Sequence, residues 1–66
     1  MDIQRALKLK VGDVAHCPAD RGDAAYTGKV VHVSGNITTH LGKEFIWVTV
    51  SDGHGSRHVW PSNRLG

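Results

Sequence analysis

Arg57-His58-Val59-Trp60-Pro61-Ser62-Asn63-Arg64-Leu65 is the stretch whose reading decides the fold. A short strand, Ser56 to Trp60, runs into proline, passes through small polar residues and finishes on an apolar anchor. Proline cannot donate to a ladder, so it stops the strand. Ser62 and Asn63 suit one tight helical turn, after which Leu65 can drop back into a core. A chain that ends this way is expected to be all-β: a single five-stranded barrel over residues 11–66, with a short helical turn before the last strand.

Working back from that end, Asp52-Gly53-His54-Gly55 has strong hairpin chemistry. Before it, Glu44 to Ser51 reads as a strand with Phe45, Trp47 and Thr49 on one side and Ile46, Val48 and Val50 on the other. Both sides are apolar, which implies a central strand, a wall against another subunit or a binding surface. Ile37 to Lys43 is polar and threonine-rich, either a long loop or a distorted strand. Gly35-Asn36 turns the chain after a second strand, Tyr26 to Ser34, whose Val30, Val31 and Val33 pack well on a pleat. Pro18 to Ala25 is a loop, and Val11 to Cys17 a first strand entered through Gly12-Asp13. Residues 1–10 form a lead-in in which Ile3, Leu7 and Lys10 could share one face of a helical turn too brief to stand alone.

Sixty-six residues make one small domain. A chain of this size buries only about 60% of its unfolded surface, so a staple or a partner is expected. A lone cysteine, Cys17, excludes an intramolecular disulfide and fits a reducing compartment. No apolar run reaches membrane-spanning length, and Met-Asp-Ile-Gln does not begin a signal peptide, so the expectation is a cytoplasmic protein without a membrane partner. Self-association, a homo-oligomer, is the remaining candidate for a staple. The net charge of +2 permits an anionic partner without demanding one.

The order of strands and turns resembles that of SH3-like small barrels. Val11-Gly12-Asp13-Val14, with Gly28-Lys29-Val30-Val31-His32-Val33, is similar to the pattern of KOW and Tudor-like modules, which implies binding of RNA, ribosomal partners or modified peptides. Pro61-Ser62-Asn63 looks like the end of SH3 domains, with Arg64 where that family has tyrosine. The longest resemblance is to plasmid-borne type II dihydrofolate reductases. Ala24-Ala25-Tyr26-Thr27-Gly28-Lys29-Val30-Val31 is similar to their Ala-Ala-Trp-Gln-Gly-Gln-Ile-Val. Ser51 to Pro61 is similar to their Ser-x-x-His-Pro-Gly-Ser-Val-Gln-Ile-Tyr-Pro, and Gly12-Asp13 matches their strand entry. This resemblance implies a tetramer around one pore binding NADPH and dihydrofolate, with His58, Val59 and Trp60 in its walls. His58 stands where that family has glutamine, and Trp60 where it has tyrosine. Arg21 is the only basic residue near the place of the family's post-strand lysine.

Chemistry read from the residues themselves is sparse. Asp13, Asp20, Asp23, Glu44 and Asp52 have no spacing that forces two carboxylates together, so acid–base catalysis lacks support. Asp13 and Asp52 suit turn backbones. His16 and Cys17 are adjacent on a strand and point to opposite faces, leaving Cys17 as a small buried thiol. His16, His32, His40, His54 and His58 match no zinc spacing. His58 and Trp60 share a strand parity opposite to Arg57 and Val59. With Val59 facing inward, His58 and Trp60 would face out as a stacking platform for a planar ligand or a neighbouring subunit. The expected surface is therefore His58 and Trp60, bordered by Arg57, Tyr26 and Lys29. It would serve a non-catalytic binding or assembly module, with nucleic acid as the leading ligand class and no cofactor or metal. The alternatives are the NADPH-dependent reductase of the resemblance and a structural part of a larger assembly.

Overall fold

Alternation of valines with polar residues builds the central sheet of the computed structural model, which describes residues 1–66. In chain order the elements are α1 (Ile3–Ala6), β1 (Val14–Cys17), β2 (Tyr26–Val33), β3 (Thr38–His40), β4 (Lys43–Phe45), β5 (Trp47–Ser51), β6 (Arg57–Pro61) and a 3-10 turn over Ser62–Arg64. The small, antiparallel, all-β character expected from the sequence is present, and so is the helical turn before Leu65. The closed five-stranded barrel is not. Six strands form two sheets, one of order β1-β2-β5-β6 and a separate β3-β4 hairpin.

Each departure has a local cause. The strand expected over Glu44–Ser51 breaks at Ile46, where Phe45 and Ile46 are buried in succession. A flat strand cannot bury two consecutive side chains on one face, so the chain bends and β4 leaves the main sheet. The polar segment before it is the other arm of a hairpin, pairing Thr38 with Phe45, Thr39 with Glu44 and His40 with Lys43. Leu41 and Gly42 at its tip have φ of 52° and 75°, the pair of positive values that a type I′ turn requires. The first strand begins at Val14 because Val11-Gly12-Asp13 is a turn: Asp13 Oδ2 accepts from Lys10 N at 2.9 Å. β2 carries an irregularity between Val30 and His32, so that Val30 faces Val50 and Val33 faces Val48.

One core gathers Ala15, Cys17, Val30, Ile46, Val48, Val50, Trp60 and Leu65, with Ala6 of α1. In the lead-in, Asp2 caps α1 by accepting from Arg5 N at 2.7 Å. Ala6, rather than Leu7, is the residue that enters the core, and Met1, Ile3 and Leu9 pack around it. Gly28 permits a close approach of β2 to β5, since a Cβ there would stand 2.2 Å from the Ser51 carbonyl oxygen. No helix is long and apolar enough to cross a membrane.

The two ends of the sheet differ. On β1, His16 N and O exchange bonds with Gly66 at 3.5 and 3.0 Å. On β6 the only neighbouring strand is β5.

Candidate functional site

The parity expected of β6 is inverted. Trp60 is 7% exposed and belongs to the core, while Val59 is 61% exposed on the outer face. The larger ring gains more from burial than valine does, provided its N–H finds a partner. Trp60 Nε1 donates to Tyr26 Oη at 3.0 Å. His58 keeps the same parity as Trp60, opposite Val50, and its ring lies 5.6 Å from that of Tyr26. Tyr26, His58 and Trp60 are thus brought together, but at the end of the inner face, where they line a groove of about 580 Å³.

That groove is acidic at its rim. Asp20 and Asp23 reach it from the β1–β2 loop and Asp52 from the β5–β6 hairpin. Asp20 pairs with Arg64 at 3.7 Å, whose guanidinium lies 5.3 Å from the centre of the Trp60 ring. Asp52 Oδ1 accepts from His54 N at 2.7 Å and Ser56 N at 3.2 Å, and its Oδ2 lies 3.6 Å from His58 Nε2. The His54 N–H is the main reason its carboxyl is held below the usual range. Burial pushes the Tyr26 phenol up, with the Trp60 N–H pulling the other way. Burial likewise raises the Cys17 thiol, against the influence of the Tyr26 hydroxyl. A neutral thiol is a poor nucleophile, and a rim of carboxylates repels phosphates.

Lys29 and Arg57, the other two residues expected at the surface, lie on the opposite side of the sheet. They form one cross-strand row, Val14–Lys29–Ser51–Arg57. A second row is His32–Thr49–Val59, and a third sets Trp47 beside Pro61. Trp47 is 43% exposed and braced edge-on by Phe45, with ring centres 5.1 Å apart. No carboxylate occupies an outward position on these four strands. The five-residue platform is therefore split, three residues in the acidic groove and two on the basic outer face.

Sequence reasoning passed over Trp47, His32 and Thr49 as surface residues. The signal for Trp47 and Thr49 was available in the alternation over residues 46–50, where the side of Ile46, Val48 and Val50 is the more uniformly aliphatic. No set of three His, Cys, Asp or Glu side chains is arranged to hold a metal ion. Compared with known proteins, the chain matches no family model, no curated protein and no solved structure.

Proposed function

We propose that the protein is a small non-catalytic binding module of SH3-like build, and that it binds single-stranded nucleic acid across the outer face of its four-stranded sheet. The observation that carries this reading is the segregation of charge. Lys29, Arg57 and His32 stand on a face whose strands carry no carboxylate, with Asp52 of the β5–β6 hairpin bordering the hollow next to Lys29 and the exposed ring of Trp47 at the other end of β5. Lys29 and Arg57 are two strand spacings apart, roughly 10 Å, so they would meet different phosphates while Trp47 offers a base a stacking surface. The SH3-like part of the reading is supported by the succession of hairpins, the Pro61-to-Leu65 ending and the docking of Gly66 on His16. The free thiol of Cys17 fits a cytoplasmic setting. Titrating a fluorescent single-stranded oligonucleotide at several salt concentrations tests the function: affinity should fall steeply with salt, and weakly salt-dependent binding would count against it.

The reductase reading has less support. Its pore would need His58, Val59 and Trp60 presented together, whereas Val59 points outward and Trp60 is buried with its N–H committed to Tyr26. Following NADPH absorbance with dihydrofolate present tests it directly.

A further inference from the structure

We propose that β6 is a docking edge to which a second copy of this chain adds its own β6, antiparallel, about a two-fold axis at Val59. In an antiparallel ladder alternate residues bond to one neighbour and the residues between them face the other side. The bonds from Asp52 N to Ser56 O and from Ser62 N to Ile46 O fix the alternation for the β5–β6 register. His58 and Trp60 bond to β5, while Arg57, Val59 and Pro61 turn their backbone groups to the open side. The same alternation on β1 turns His16 outward, and there Gly66 takes both of its backbone groups. Nothing takes those of Arg57 and Val59: no strand other than β5 pairs with β6, and no other backbone bond reaches them. Open edges of this kind recruit strands unless blunted.

The edge is complementary to itself. With the axis at Val59, the centre of β6, the strand overlaps its copy along its whole length. Val59 N–H and C=O exchange bonds with the partner's Val59. Each Arg57 N–H meets the Pro61 carbonyl of the other copy, whereas the Arg57 carbonyl, which would accept from the N–H that proline lacks, goes without a ladder bond at each end of the seam. The Val59 side chain, 61% exposed in the single chain, meets its equivalent across the axis. Arg57 lies opposite proline rather than another cation, and a net charge of only +2 opposes association weakly. The dimer joins the two outer faces into one longer basic surface, which goes beyond the single-chain binding reading and does not depend on it.

Sedimentation equilibrium of the full chain at micromolar concentration tests the proposal, with Val59→Pro and Val59→Lys alongside. Val59→Pro deletes the N–H at the axis without touching a bond to β5, the situation Pro61 already occupies. Val59→Lys keeps the backbone and sets like charges across the axis. The wild type should sediment at twice the chain mass and both variants at the chain mass, each still folded by circular dichroism. A monomeric wild type, or a dimer that persists in Val59→Pro, overturns the proposal. Should Val59→Pro fail to fold, the mass of Val59→Lys decides.

Discussion

Ser62 satisfies both backbone groups of Ile46: its hydroxyl accepts from Ile46 N at 3.0 Å, and its own N donates to the Ile46 carbonyl at 2.9 Å. Ile46 is where the chain leaves one sheet for the other, so its buried backbone needs partners outside the β3–β4 ladder. A residue from the 3-10 turn supplies them, tying the last element to the bend between β4 and β5.

Ser62→Ala should therefore destabilise the fold by about 1–3 kcal/mol, the cost of leaving a buried N–H without its acceptor. Chemical denaturation read by Trp fluorescence measures it. An effect near zero would mean that Ile46 finds another acceptor.

Gly28→Ala tests the close approach of β2 to β5. The added methyl would meet the Ser51 carbonyl and the Val50 side chain, its Cβ lying 2.2 and 2.6 Å from their nearest atoms. Separating the strands to admit it should cost roughly 1–3 kcal/mol, visible as a lowered thermal midpoint with unchanged circular dichroism at low temperature.

Trp60→Ala removes the largest ring of the core and should cost about 3–5 kcal/mol, enough to unfold much of the population of so small a domain. Tyr26→Phe is milder, about 1–3 kcal/mol, because it keeps the ring and leaves the indole N–H without its acceptor. If Trp60→Ala were as stable as the wild type, the placement of Trp60 would be wrong.

Cys17 should resist alkylation in the folded protein, since burial both shields the thiol and raises its pKa. Reaction with a maleimide should become fast only where denaturant unfolds the chain. Rapid labelling under native conditions would contradict the burial.

Asp52 makes part of the stability acid-sensitive. Its carboxyl is held low in the folded state, first by the His54 N–H and then by Ser56 and His58. The stabilisation is fully present above the unfolded-state pKa and is lost as pH falls through the depressed folded value. The thermal midpoint of the wild type should drop across that acidic window, and Asp52→Asn should lack this part of the drop.

The ending of the chain was the most legible part of the sequence: the short helical turn and the return of Leu65 to the core follow from the residue types alone. The hairpin at Asp52–Gly55 was equally plain, whereas the strand before it is apolar on both sides and left open that Ile46, Val48 and Val50 are the buried set. The bend at Ile46 was not, because it depends on Ser62, sixteen residues away, to satisfy the displaced backbone. Nor was the parity of β6. Val59 and Trp60 are both apolar, and which one enters the core turns on a hydroxyl from Tyr26, thirty-four residues earlier in the chain. That one choice divides the expected surface. Tyr26, His58 and Trp60 fall among carboxylates, while Lys29 and Arg57 are left on the outer face with Trp47.

The salt dependence of single-stranded oligonucleotide binding, for the wild type and for Lys29→Ala with Arg57→Ala, tests the central claim most directly. For the wild type, the logarithm of affinity should fall linearly with the logarithm of salt. The substitutions should weaken binding and flatten the slope by about 0.7 for each phosphate contact removed. No binding at low salt, or an affinity indifferent to both salt and the two substitutions, would contradict the account.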